Sequence, residues 1–576
     1  MVVRGLPFTE MDPHAPALFT EVRYLQMTSR GTKELAEWYI HTPPPVCMLN
    51  PLREKGRTGV LSALRLHPAK EGFYTMSKIG VVLASAALAL GILFFGSYIG
   101  SIDDMSKAQA QTVTAASAKP NIVFILADDM RKDDLKYMPK TKSLLQREGM
   151  TFQNAFVSNA LCCPSRATIM RGQYSHNTHV WTNHNSAEGG WQAYNASGDE
   201  NDNVATRLHD AGYQTALIGK YLNGYYDTTY RPPGWSKWFA TFDGTGGIFR
   251  YFDYDVNDNG TIRHYGTGES DYKTDVLSRE TEAFISSSVS QSKPFFAYVA
   301  PIAPHLPSRP APRDAHTYDG LKAPRLRSFD EANVLDKPPW ITQLPNLTSE
   351  EIARIDKRHE NRVESLQAVD DLVEGVVDTL NGAGAMGNTY VFFTSDNGWH
   401  HGEHRIPMEK GRPYEEDIHV PLLVRGPGVA RNSSTNKMAL NTDYLPTFMD
   451  FACSPDPPIC ETLKAQKNWY VPDGRSLRPV LKRTASAWRN AMLLEAAAAR
   501  GAPTSYGIRT VDSGTTKKGK YVEYEGTERE LYDLGADPNE LTNIYDPNAP
   551  PSDLVLRLHD LKGCAGTGCF TAENGP

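Results

Sequence analysis

The chain has 576 residues, 40% of them hydrophobic and 22% charged, and a formal net charge of −7. That length supports one large core with a smaller satellite domain. No long Lys/Arg block or basic stripe is present, which argues against nucleic-acid binding and against a dedicated polyanion-gripping domain.

The first feature in chain order is an uncharged apolar run from Ile79 to Gly100, long enough to cross a bilayer. Met76-Ser77-Lys78 precedes it as a short basic leader, and Ala108-Gln109-Ala110 offers a small-residue cleavage site. The pattern predicts a signal peptide or signal anchor over residues 76–110, and hence a secreted or membrane-anchored protein. Residues 1–75 then read as a spurious or disordered upstream extension. The alternative is a cytoplasmic segment ahead of a transmembrane helix. Cysteine usage agrees with export. Beyond Ala110, Cys453 and Cys460, and Cys564 and Cys569, form two close pairs, each able to close a small loop as a disulfide. Four N-x-S/T sequons, at Asn195, Asn259, Asn346 and Asn432, suit surface loops of such a chain.

After a polar linker, Asn121 to Asp128 reads as a strand buried on both faces. Similar runs recur at Tyr213–Ile218, Phe295–Val299, Tyr390–Phe393 and Val420–Val424, and helical patterns cover Met138–Glu148, Val204–Ala211 and Glu350–Leu380. Strands alternating with helices imply an α/β domain over residues 120–453, with a mostly parallel sheet between helices. From about residue 454 the composition turns polar, with short strands at Tyr506–Val511 and Lys520–Tyr524, and predicts a smaller α+β subdomain over 454–576.

The strand ends carry the chemistry. They deliver Asp128-Asp129, Gly219-Lys220, Pro304-His305 and Asp396-Asn397-Gly398. Open α/β sheets bind ligands at the carboxyl ends of their strands, so these groups are expected at one edge. Between the first two strands lies Cys162-Cys163-Pro164-Ser165-Arg166, followed by a short helical stretch and the stop residue Gly172. Cys162 is thereby expected at a helix N-terminus, where backbone N–H groups favour negative charge. A buried structural pair or a vicinal disulfide are the bland readings of Cys162-Cys163. Zinc is disfavoured because no second Cys/His pair with ligand spacing appears.

Cys162-x-Pro164-Ser165-Arg166 resembles the signature of the type I sulfatases, in which the cysteine is oxidised to formylglycine (3-oxoalanine). Lys410 ahead of Tyr414-Glu415 resembles a further block of that family, and the likeness runs through residues 120–545. Asn159 to Arg166, Gly219 to Asn223 and Val420 to Gly428 look most like the branch of N-acetylglucosamine-6-sulfatases and arylsulfatases. The resemblance implies an alkaline-phosphatase-like fold and a sulfuric ester hydrolase. Its partners would be a sulfate ester substrate and, during maturation, a formylglycine-generating enzyme. It further implies a hydrated aldehyde at position 162 that attacks sulfur and later expels sulfate through its second hydroxyl. Asp128, Asp129, Asp396, Asn397 and position 162 would hold Ca²⁺, a set that also admits Mg²⁺. Arg166, Lys220 and Lys410 would hold the sulfate, and His305 would assist the leaving alcohol. The family's usual histidine two residues after the strand-end lysine is here Leu222. His176 and His179 are candidate substitutes, and His401, within the His400–His404 stretch, is expected to shape the substrate pocket rather than hold a second metal. The rivals are a phosphonate monoester or phosphodiester hydrolase of the same fold, and a silent homologue that keeps the pocket for binding.

Overall fold

The computed structural model describes residues 119–575, apart from 227–228, 245–246, 455, 500 and 514–516. The upstream extension and the apolar segment Ile79–Gly100 lie outside the described residues. Among the described residues no helix is long and apolar enough to cross a membrane.

Ten strands form the main sheet: β1 (Asn121–Ala127), β2 (Met150–Phe152), β4 (Gln214–Lys220), β5 (Lys237–Thr241), β6 (Tyr254–Asp258), β7 (Thr261–Tyr265), β8 (Phe295–Ala300), β9 (Thr389–Ser395), β10 (Leu422–Arg425) and β11 (Ser433–Thr435). Their order is β11-β2-β10-β9-β1-β8-β4-β5-β6-β7. The centre, β9-β1-β8-β4-β5, is parallel. The margins are mixed: β10 runs antiparallel to β9, and β6 and β7 close the other edge as a hairpin. A short pair, β3 (Ala155–Phe156) with β12 (Ala439–Leu440), lies apart.

The unbroken apolar run of β1 follows from burial on both faces. Ile122, Phe124 and Leu126 enter one core cluster, while Val123, Ile125 and Ala127 enter another. The first core packs α1 (Cys162–Arg171), α2 (Val204–Asp210) and α5 (Tyr444–Cys453) against the sheet. The second is built from α3 (Lys273–Ser290) and α4 (Ser349–Gly382). α4 begins with a capping box between Thr348 and Glu351.

One expected helix is corrected. Residues 138–148 do not form a single α-helix: a 3₁₀ stretch at Lys132–Tyr137 leads into one α turn at Pro139–Thr141 and a wide i→i+5 turn at Lys142–Gln146. Pro139 has no N–H to donate, and the amides of Lys140 and Thr141 are taken by Asp370 of α4, so tertiary contacts set the local winding.

The C-terminal strands β13 (Ala491–Ala496), β14 (Ser505–Thr510), β15 (Gly519–Tyr524) and β16 (Arg529–Tyr532) form a separate antiparallel sheet. α6 (Ser552–Lys562) and α7 (Thr567–Asn574) pack beside it. Both expected disulfides are present, Cys453–Cys460 and Cys564–Cys569. Cys162 and Cys163 are both free, so no vicinal disulfide forms.

Candidate active site

The carboxyl ends of the central strands bring the expected groups together in one buried cluster. β1 supplies Asp128 and Asp129, β4 ends in Lys220, β8 leads to His305, and β9 leads to Asp396 and Asn397. Gly219 is required beside Lys220: it has φ of +119°, and a Cβ there would lie 2.2 Å from the Ala300 carbonyl oxygen of neighbouring β8.

Cys162 opens α1, whose ten residues are all buried and which ends at Gly172 in the left-handed conformation. Its Sγ lies 3.4 Å from Asp128 Oδ1, 3.9 Å from Asp129 Oδ1 and 2.6 Å from Lys410 Nζ. One turn further on, Arg166 donates through Nε to Asp396 Oδ2 at 2.8 Å and through Nη1 to the Lys220 carbonyl at 3.0 Å. Lys220 Nζ donates to Asp128 Oδ2 at 2.6 Å, and Lys410 Nζ to Asp129 Oδ1. Three buried carboxylates thus face three cations, Arg166 and Lys220 buried and Lys410 nearly so.

The charge balance sets the protonation states. Burial alone pushes the Asp128 carboxyl up, but Lys220, His305, Arg166 and Lys410 together hold it well below the usual carboxylate range. At Asp396, burial and the adjacent Asp128 outweigh Arg166 and raise the carboxyl to about 6. Burial and Asp128 push the Cys162 thiol up to about 12, so an unmodified cysteine here is not a thiolate at neutral pH.

The oxygen donors fit a divalent cation. Asp129 Oδ2 and Asn397 Oδ1 are buried and have no hydrogen-bond partner, and Asn397 Nδ2 already ties to Asp129 Oδ1 at 2.7 Å. Asp128, Asp129, Cys162 and His305 offer ligand atoms all within 4.8 Å of one another. Hard oxygens in this arrangement suit Ca²⁺ or Mg²⁺. Arg166 Nη2 is likewise buried without a hydrogen-bond partner, a donor left for an anion.

His305 has its Nδ1 2.6 Å from the Leu306 carbonyl, which fixes the tautomer and leaves Nε2 facing the cluster, 3.7 Å from Asp129 Oδ2. Phe249 stacks on the imidazole at 4.3 Å between centroids. Arg362 of α4 was not singled out from the sequence. Its buried guanidinium donates to the carbonyls of Asp129 and Pro304, holding two site loops together. Asp129 itself has φ of 70°, an unusual conformation that these contacts and its N–H bond to Asp396 Oδ1 maintain. An arginine inside the apolar face of a long helical pattern was the available signal for Arg362.

The remaining candidates lie elsewhere. His176 is held between Glu495 Oε1 and the Cys564 carbonyl, each at 2.8 Å. His179 is an exposed residue at the end of the short helix Ser175–Thr178. His401 is buried against His359, with ring nitrogens 3.3 Å apart. Leu222 is part of the core and places no polar group in the cluster.

A family model for sulfatases matches residues 120–454, and one for the C-terminal part of N-sulphoglucosamine sulphohydrolase matches residues 402–561. The chain belongs to the sulfatase family. Human N-acetylglucosamine-6-sulfatase is 33% identical over 531 residues, covering 85% of this chain and 91% of that protein. An arylsulfatase of Volvox carteri is 31% identical, covering 80% of this chain and 77% of that one. Among solved structures, BT4656 in complex with its substrate D-glucosamine-2-N,6-O-disulfate superposes with a TM-score of 0.61 at 24% identity, covering 77% of this chain and 97% of that one. That last likeness is one of fold, and it identifies the architecture of this sulfatase as alkaline-phosphatase-like.

Proposed function

We propose that this sulfatase cleaves sulfate from a sulfated sugar or an aryl sulfate through a formylglycine made from Cys162, working with a bound Ca²⁺. The observation that carries the reading is the seat of Cys162: the first residue of a buried helix, between the carboxylates of Asp128 and Asp129 and the ammonium of Lys410. A thiol held protonated there is a poor nucleophile, whereas an aldehyde hydrate offers one hydroxyl to attack sulfur and a second to release it. Asp128, Asp129, Asp396 and Asn397 would hold the cation, which would supply positive charge to a sulfate oxygen and to the attacking hydroxyl. Lys220, Lys410 and Arg166 Nη2, which makes no hydrogen bond and lies 3.8 Å from Asp128 Oδ2, receive the charge of the transferring group. Once protonated on both nitrogens, against the downward pull of burial, His305 keeps its Nδ1–H on the Leu306 carbonyl and presents Nε2–H to the bridging oxygen of the leaving alcohol. The N-acetylglucosamine-6-sulfatase and arylsulfatase relatives support these two substrate classes. We also assign the catalytic domain to residues 120–453, the smaller subdomain to 454–576, and the protein to an extracytoplasmic location.

The test is turnover of matched aryl sulfate, aryl phosphate and aryl phosphonate esters by the full chain co-expressed with a formylglycine-generating enzyme. Preference for the sulfate is expected. Preference for the phosphonate would make this a hydrolase of the rival class, and failure on all three and on N-acetylglucosamine 6-sulfate would favour the silent homologue.

A further inference from the structure

The segment between β5 and β6 carries groups that neither the sequence motifs nor the family match assigns. Phe249 stacks on the His305 imidazole with 4.3 Å between centroids and planes 14° apart, and its ring also lies 5.0 Å from Lys220 Nζ. Two residues on, the buried Tyr251 donates its hydroxyl to the His305 carbonyl at 2.7 Å. One side chain of this strap therefore holds the ring of His305 and another its backbone.

The strap is itself anchored from beneath. Lys273, the first residue of α3, is wholly buried and donates Nζ to the carbonyls of Gly247 at 3.1 Å and Ile248 at 2.9 Å. Its backbone N–H donates to the Tyr251 carbonyl at 2.9 Å. Burial pushes the Lys273 pKa well down, with Arg250 adding to the effect, and its Nζ meets carbonyls and the Tyr254 ring rather than a carboxylate. A buried lysine satisfied mainly by loop carbonyls is costly and serves no core packing that an aliphatic side chain would not serve better. Its position makes sense as a clamp on residues 247–251.

We infer that Lys273, the 247–251 strap and Phe249 form a positioning device that fixes the ring plane of His305, so that Nε2 meets the oxygen of the leaving alcohol. Phe249 is thus a positioning residue for the reaction, acting through His305. The inference rests on the role given to His305 above. A flat aromatic face against the imidazole restricts its rotation, and the Nδ1 contact to Leu306 sets which nitrogen points inward.

The role predicts selectivity by leaving group. Proton donation matters greatly for a poorly acidic alcohol and little for 4-nitrophenol, and both aryl esters would sense any lost ring contact equally. The full-length, oxidised enzyme and its variants are assayed on 4-nitrophenyl sulfate and phenyl sulfate. For His305→Ala the phenyl ester should lose about 100-fold more kcat/KM than the nitrophenyl ester. For Phe249→Ala the excess loss should be about tenfold, with Phe249→Tyr restoring the wild-type ratio. Should Phe249→Ala fail to fold, Phe249→Leu keeps the apolar bulk without a flat face and carries the same expectation, as does Lys273→Met. Equal losses on both esters in Phe249→Ala and Phe249→Leu, with His305→Ala still selective, would overturn this inference alone. An unselective His305→Ala would overturn the role of His305 as well, and a wild-type enzyme inactive on both esters and on N-acetylglucosamine 6-sulfate would remove the proposed sulfate-ester hydrolysis beneath them.

Discussion

Arg166 Nε donates to Asp396 Oδ2 across 2.8 Å, and solvent reaches neither side chain. The pair joins the helix that carries Cys162 to the loop that follows β9, so it couples the element of the proposed nucleophile to the edge that carries the proposed metal ligands. Replacing Arg166 by Met would leave Asp396 beside Asp128 with no guanidinium opposite. Breaking a buried pair in this way costs about 3 kcal/mol, read as a lower denaturant midpoint. Arg166→Lys should keep more of the stability and still lose about 100-fold in kcat, because the ammonium cannot span Asp396, the Lys220 carbonyl and an anion together.

The unpartnered oxygens of Asp129 and Asn397 predict a metal dependence visible without any assay of turnover. Dialysis against a chelator should lower the unfolding temperature, and Ca²⁺ should restore it. At a calcium concentration about 100 times Kd the gain is about 2.7 kcal/mol. Asn397→Ala and Asp129→Asn should need far more calcium for the same shift. A wild-type protein indifferent to both chelator and calcium would contradict the ligand assignment.

His176 gives a pH dependence of known sign. Both its ring nitrogens face acceptors, Glu495 Oε1 and the Cys564 carbonyl, a geometry that requires the doubly protonated ring. Burial pushes its pKa down, but Glu495, the carbonyl and Asp473 outweigh that and hold it above the ordinary histidine value. A folded-state pKa above the unfolded one stabilises fully below the unfolded value and is lost as pH rises through the folded value. The stability gap between wild type and His176→Gln should therefore be widest in mildly acidic buffer and close as the pH is raised beyond neutrality. A gap that widened with pH would reverse the assignment.

The Cys453–Cys460 bridge closes a loop of small sequence separation at the end of α5. Replacing both cysteines by serine should cost about 2 kcal/mol in urea unfolding, in line with short-loop closure. Reductant should close the gap between wild type and double variant, since Cys564–Cys569 is then lost from both and Cys453–Cys460 from the wild type alone. Turnover at a temperature where both fold should match, since the bridge touches no group of the cluster.

Much of the site was legible in the sequence because its strands are central. β1, β4, β8 and β9 are buried on both faces, so their residues form unbroken apolar runs, and whatever polar group follows such a run stands at the sheet edge. Direction was not legible: the run at β10 looks like the others, and its antiparallel pairing with β9 comes from how the chain returns, not from its composition. β7 escaped notice because most of its residues are exposed and polar. Phe249 and Lys273 act through contacts distant in sequence that no local pattern marks, whereas Arg362 was marked only by its place on the apolar face of a helical pattern. His176 stands just past α1 in the chain, yet its ring turns to β13 and the second disulfide loop.

The central claim is the conversion of Cys162, and the most direct test is the mass of the tryptic peptide Glu148–Arg166 from the full chain co-expressed with a formylglycine-generating enzyme. One thiol should be replaced by an aldehyde; Cys162→Ala should abolish the change and Cys163→Ala leave it intact. A peptide in which both thiols survive, or in which Cys163 alone is converted, would contradict that claim.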